Sequence, residues 1–303
     1  MNFHRTHVNI VMDKLNSIEL LKHSVNEMSD IMLDIYIEWK EKQSTTPSDC
    51  ECMAESMYQM MVCKAKNVLL MSGGINLLSE SNICIADPSN ICPVLRSMLE
   101  MNIIFRSIYA SSINDTEREL LLKIWKIRGN NNLIKIPKSE LNEDEQEEQL
   151  AKTEENEELR KGIRSLMREL SLSQSVRGSI ENWIKDGDAS LKGFKFEHPE
   201  HSSNITSFYA LSFSDAAKDI TQTSFTYPHF CAHSHPSYLG VEHFWKMYNL
   251  KAEDDFMKEI LEGAFVYLAR FMEDFCKYKE TYRTFYKAKE NRINNLMRRL
   301  LQN

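Results

Sequence analysis

Cys92-Pro93-Val94-Leu95-Arg96-Ser97-Met98-Leu99-Glu100-Met101-Asn102-Ile103-Ile104-Phe105 is the stretch that decides the fold. Its apolar residues fall nearly all round a helical wheel, which marks a helix enclosed by others rather than laid on a surface. Pro88 or Pro93 fits the first turn, where a missing N–H has no intrahelical partner to lose. The spacing predicts a central helix over 91–112. Arg96 and Glu100 interrupt it as two charges in an apolar setting, and at i and i+4 they can pair along one face.

On the N-terminal side, Val8, Val11, Met12, Leu15, Ile18, Leu21, Val25, Met28, Met32, Ile35 and Trp39 recur at helical spacing and predict one helix over 6–42. A second helix is predicted over 51–71, stopped near Gly73-Gly74, with a loop over Ser79–Asn90. On the C-terminal side, Asn114 or Asp115 caps a short helix through Trp125. Residues 138–160 are dominated by glutamate and predict a solvated arm, helical or partly disordered, which leads into a helix through Leu172 and a shorter one around Ser179–Lys185. Turn-rich residues 187–206, with Gly187 and Pro199, precede a predicted helix over Ser207–Ile220. From Ala252 to about Leu301 a helical stripe implies one very long helix or two joined near Lys277–Glu280.

Composition agrees. Of 303 residues, 42% are apolar, enough for a core, while only 9 are glycine and 7 proline. Few breakers mean few turns and long elements. The expected fold is all-α: a bundle of long antiparallel helices with an acidic protruding arm. Its expected parts are 1–137, the acidic insert 138–175, and 176–303, together one composite domain. A net charge of −7 disfavours a chain that binds DNA chiefly by neutralising phosphate. Seven cysteines without a CxxC pair, and no apolar leader, imply reduced thiols in the cytoplasm. No run of about 18 apolar residues exists, so no membrane span is expected. Walker, GxGxxG, GxSxG and kinase signatures are all missing.

The densest chemistry lies in Tyr227-Pro228-His229-Phe230-Cys231-Ala232-His233-Ser234-His235-Pro236. Imidazole titrates near neutral pH and is the commonest metal ligand. His229 and His233 share a helical face and could hold a divalent metal, given a further ligand from elsewhere. His235 precedes a proline, which pushes it out of helical geometry. The plainer reading is that these are helix-end and surface histidines. Arg96 and Glu100 are read either as part of a site or as a structural pin.

Arg96-Ser97-x-x-Glu100 on an apolar helix, Glu117-Arg118-Glu119-Leu120 before a tryptophan, Tyr209 with serines after it, and His235-Pro236-Ser237 resemble a family of uncharacterised all-helical bacterial proteins. In that family an Arg-Ser-x-x-Glu helix is followed by a serine and histidine segment. The resemblance covers roughly residues 50–250 and implies a helical fold with shared polar residues at Arg96, Glu100 and His235. It brings no activity with it. The chain departs from the pattern in its acidic stretch and extra histidines.

The short Arg…His spacing of helical ribonucleases is absent. An Arg96–His235 pair could rebuild that chemistry on RNA, with His235 taking the 2′-hydroxyl proton and Arg96 stabilising the phosphorane. The C-terminal cations Lys277, Lys279, Arg283, Lys287, Lys289, Arg292, Arg298 and Arg299 interleave with aromatics. They offer a nucleic-acid surface, or the wet face of a bundle helix whose aromatics are core; the packing stripe favours the second. Two functions stay open. One is a hydrolase acting on nucleic acid, with catalytic Arg96, Glu100 and His235. The other is a non-enzymatic interaction or scaffold protein, expected as a homo-oligomer, using the acidic arm and the terminal helix.

Overall fold

The computed structural model describes residues 18–76, 84–85, 87–185, 193–200, 202–221, 226–235, 237–250 and 253–302. Val8, Val11, Met12, Leu15, Gly187, Pro236 and part of the loop expected over Ser79–Asn90 lie outside them. The fold is all-α. In chain order the helices are α1 (Ile18–Glu41), α2 (Asp49–Met71), α3 (Pro88–Phe105), α4 (Asp115–Ile134), α5 (Glu143–Glu169), α6 (Gln174–Lys185), α7 (Phe213–Thr221), α8 (Thr226–His233), α9 (Tyr238–Leu250), α10 (Glu253–Tyr278) and α11 (Glu280–Gln302). Two small antiparallel ladders pair β1 (Ile75–Asn76) with β2 (Cys84–Ile85) and β3 (Gly193–Glu197) with β4 (Ser207–Leu211). No helix among the described residues is long and apolar enough to cross a membrane.

The chain divides into two compact units, residues 1–105 with 214–303, and residues 106–213. These bounds differ from the parts 1–137, 138–175 and 176–303 expected from composition. The first break falls where α3 runs into a π-helical turn, Arg106–Ala110, with no loss of hydrophobicity to mark it.

In the first unit, α3 packs against α2, α8 and α10, while α1 lies along α2, α10 and α11. A capping box opens α2: Ser48 Oγ accepts from Glu51 N at 3.3 Å, and Glu51 Oε2 accepts from Ser48 N at 2.7 Å. An aromatic cluster of Trp39, Tyr58, Phe105, Phe271, Phe275 and Tyr282 fills the core. Its two buried phenols satisfy each other at 2.7 Å, and Tyr58 Oη also lies 2.7 Å from the Met32 carbonyl. At Gly263 a Cβ would stand 3.2 Å from Leu95 Cδ2, so glycine lets α10 approach α3 closely. The C-terminal segment is two helices, parted at Lys279. Tyr282, Tyr286 and Ile293 of α11 are buried. Cations of α11 turn to α1, Lys289 to Glu38 at 2.6 Å and Arg292 to Asp34 at 3.0 Å, while Lys279, at the junction, pairs with Glu51 of α2.

In the second unit, Asn114 caps α4 by accepting from Glu117 N at 2.8 Å, and the helix runs well past Trp125 to Ile134. The glutamate-rich stretch is the ordered helix α5, started by an Asn142–Glu145 capping box. It packs along α4 through Leu159, Ile163 and Asn156. Asn156 accepts from Asn130 and donates to Asn131, both at 3.0 Å. Gln149 closes the end of α4 by donating to the Leu133 and Ile136 carbonyls at 3.0 and 2.8 Å. Most of its acidic side chains face solvent. The helix expected over Ser207–Ile220 is instead a strand followed by α7, because cross-strand packing overrides local pattern: Phe196 stands opposite Phe208, and Trp183 of α6 lies 5.5 Å from the Phe208 ring. Glu117 is buried beside His198, with Oε1 3.3 Å from Nε2; burial holds its pKa above the usual carboxylate range, against the pull of His198.

Candidate functional site

The site grows from the charged couple on α3. Arg96 and Glu100 are both half-buried, with Nε 3.4 Å from Oε1. Helix α8 crosses this face of α3 and brings two more polar groups to it. Tyr227 Oη donates to Glu100 Oε1 at 2.9 Å, and Arg96 Nη1 points to Cys231 Sγ at 3.9 Å. Tyr227 and Cys231 are four residues apart, so both fall on one face of α8. Burial, then the hydrogen bond to the Glu100 carboxylate, pushes the Tyr227 pKa up. The phenol is a donor fixed on Glu100, and it is held far from ionisation.

The imidazoles occupy another face. At roughly 100° per residue, His229 and His233 lie about 120–160° around α8 from Tyr227 and Cys231. His233 is buried, with Nε2 3.0 Å from His243 Nδ1 on α9. Its ring centroid is 4.6 Å from that of His229, and Phe256 of α10 closes one side at 5.4 Å. Burial, with the neighbouring imidazoles, lowers the pKa of both residues, that of His233 to about 4. From α10, Glu259 lies within electrostatic range of His243; burial and Asp255 raise its own pKa. Burial therefore favours the neutral form of His229 and His233.

Two small groups build the turn that brings His243 back. Ser237 Oγ donates to the Ala232 carbonyl at 2.7 Å and accepts from Gly240 N at 3.0 Å, tying the end of α8 to the start of α9. At Gly240 a Cβ would stand 3.0 Å from the Ala232 carbonyl oxygen, so a side chain here would force the two helices apart.

The Arg96–His235 pairing expected from the sequence is met in part. Helices α3 and α8 meet, and Arg96 and Glu100 are engaged. They are engaged by Tyr227 and Cys231, which sequence reasoning did not single out. His235 is exposed beyond the end of α8, and neither it nor His233 bonds to the couple among the described residues. Among the described residues no group of three or more His, Cys, Asp or Glu is arranged to hold a metal ion. His243 was visible as a nearby histidine, but its pairing depends on the Ser237–Gly240 turn. Cys50, Cys52, Cys63, Cys92, Cys231 and Cys276 form no disulfide, and burial pushes the Cys92 and Cys276 thiols up to about 12.

Helix α9 carries a further feature. Tyr238, Val241 and Trp245, at i, i+3 and i+7, are 81%, 61% and 62% exposed, with Leu239 beside them. His243 points the other way, toward α8. No family model, curated protein or solved structure matches the chain.

Proposed function

We propose that this chain is a non-enzymatic helical interaction protein that associates with a second copy of itself through α9. The exposed stripe Tyr238–Val241–Trp245 carries this reading. Large apolar side chains gathered on one exposed helical face exceed the single scattered hydrophobes that need no explanation. The flanking charges suit self-pairing: Glu242 and Lys246 sit one turn apart beside the stripe, 3.0 Å from each other. Two antiparallel copies related by a two-fold axis set each Glu242 opposite a Lys246 of the other, and such an interface is self-complementary. The buried imidazole cluster then serves as the anchor that fixes α9 to α8.

The hydrolase reading is supported less, since Arg96 and Glu100 are engaged by Tyr227 and Cys231 while His235 stands apart. Its test is RNA cleavage by wild type against His235→Ala, and equal or absent cleavage removes it.

Light scattering and sedimentation test self-association. Wild type is expected to dimerise with rising concentration, and Val241→Glu to remain monomeric with unchanged helical content. Glu242→Lys alone is expected to weaken the dimer, and adding Lys246→Glu to restore it. A wild-type monomer at all concentrations overturns the proposal. So does a Val241→Glu variant that associates as wild type does.

A further inference from the structure

One exposed face of α5 changes sign within a turn. Glu154 and Glu157 stand seven and four residues before Lys161 on that face, and Lys161, Arg164 and Arg168 continue it at i, i+3 and i+7. The three cations span about 10 Å along the helix axis. Ser171, at φ 50, reverses the chain. Arg177 of α6 lines the same groove as the three cations, a space of about 510 Å³, with Gln174 nearby. At Gly178, on the α6 wall, nothing lies within 4 Å of where a Cβ would stand.

Among the described residues the groove sets four cations against one carboxylate, Glu181. Lys161 pairs with Glu158 at 2.6 Å, an exposed contact that water screens. Among the described residues no ion pair joins Arg164, Arg168 or Arg177 to a carboxylate. Glu181 stands one turn beyond Arg177, yet Arg177 Nε is buried with no hydrogen-bond partner. A donor shut from water and left unmatched costs stability. The helix dipole favours Arg168, at the C-terminal end of α5. It disfavours Arg177, the fourth residue of α6. Cations gathered against their own repulsion and against the local dipole mark a place for an anion. Guanidinium forks match the oxygens of phosphate.

The same wall sets the size of that anion. A single phosphate touches only part of the row of cations. A long polyanion following the row along α5 meets Glu157 and then Glu154 on the same face, and is repelled. A space of about 510 Å³ is that of a small-molecule site. We propose that the groove between α5 and α6 binds a short chain of linked phosphates, free or as part of a nucleotide, held by Arg164, Arg168 and Arg177. The site lies within residues 106–213, is separate from α9 and does not depend on self-association.

Titration calorimetry of the full-length protein with inorganic tripolyphosphate at low salt tests it. Wild type is expected to bind at a single site, more weakly as salt rises. Orthophosphate, which cannot span the row, is expected to bind about tenfold more weakly or worse. Adenosine triphosphate separates the two sources, and either result supports the site: tighter binding than tripolyphosphate assigns it to a nucleotide, equal or weaker binding to the free chain. Arg164→Gln and Arg177→Gln are each expected to weaken tripolyphosphate binding about tenfold. Gly178→Glu sets a carboxylate on the wall in open space and is expected to abolish binding, with the melting temperature kept or raised because a helical glycine is replaced. Lys287→Gln removes an equal charge from the exposed face of α11 and is expected to leave binding unaltered. The proposal is overturned by absence of tripolyphosphate binding at low salt, by wild-type affinity in Arg177→Gln or in folded Gly178→Glu, or by an equal loss in Lys287→Gln. An oligouridylate that binds as tightly as tripolyphosphate also overturns it.

Discussion

At the scale of the residue, His233 is the group whose protonation matters most. Its folded pKa, about 4, is depressed below the ordinary histidine value of 6.5. Below 6.5 the unfolded chain takes up a proton that the folded chain refuses, so folded-state stability falls with pH until both states are protonated near 4. His229 shifts the same way, and His243, Glu259 and Asp255 are the other titrating groups that face the cluster. Unfolding free energies from urea titrations are expected to be level above about pH 6.5 and to drop toward pH 4 by an amount on the order of 2 kcal/mol. His233→Phe is expected to flatten that segment of the curve. An unchanged slope in the variant would show that the cluster is not its source. The sequence displayed all three imidazoles, yet it could not show which ring nitrogen meets which. It also displayed Arg96 and Glu100. Tyr227 and Cys231 were hidden in the same ten residues because tyrosine and cysteine carry no formal charge to draw the eye.

At the scale of the element, helix existence was legible and helix partnership was not. The apolar wheel of α3 announced a central helix, and α3 does lie against α2, α8 and α10. Capping residues at Ser48, Asn114 and Asn142 stand where side-chain oxygens satisfy first-turn N–H groups. The hairpin β3–β4 escaped because five-residue strands carry too little alternation, and Phe194, Phe196 and Phe208 become a strand face only under the Trp183 ring. The junction of α8 and α9 gives the sharpest test at this scale. Gly240→Ala places a methyl 3.0 Å from the Ala232 carbonyl, a backbone atom that cannot swing aside. The expected cost is about 1–3 kcal/mol, and separation of the helices should return the His233 pKa toward its ordinary value in proton NMR titration. A wild-type titration curve for His233 in this variant would mean that the close approach is not what buries the ring.

At the scale of the whole molecule, the two units differ in how the chain builds them. Residues 106–213 are one continuous segment with their own core of Leu120, Ile124, Ile163, Ile180 and Phe194. Composition pointed instead to the acidic stretch as a separate insert. Glutamate density reports which face of α5 is wet, while the packing that joins α5 to α4 rests on sparse residues such as Asn156 and Ile163. A fragment of residues 106–213 is expected to unfold in urea as a single cooperative transition. A broad, sloping loss of helical signal would deny it independent stability.

The other unit is assembled from the two ends of the sequence, and the Tyr58–Tyr282 bond and the Trp39 contact with Thr281 join residues more than two hundred positions apart. On the ribosome, therefore, the first two helices must wait. Their faces toward α10 and α11 stay uncovered until those two helices have been made, while the middle of the polypeptide can already have condensed into its final form. Any chaperone that attends this protein during synthesis has its work at the amino-terminal third.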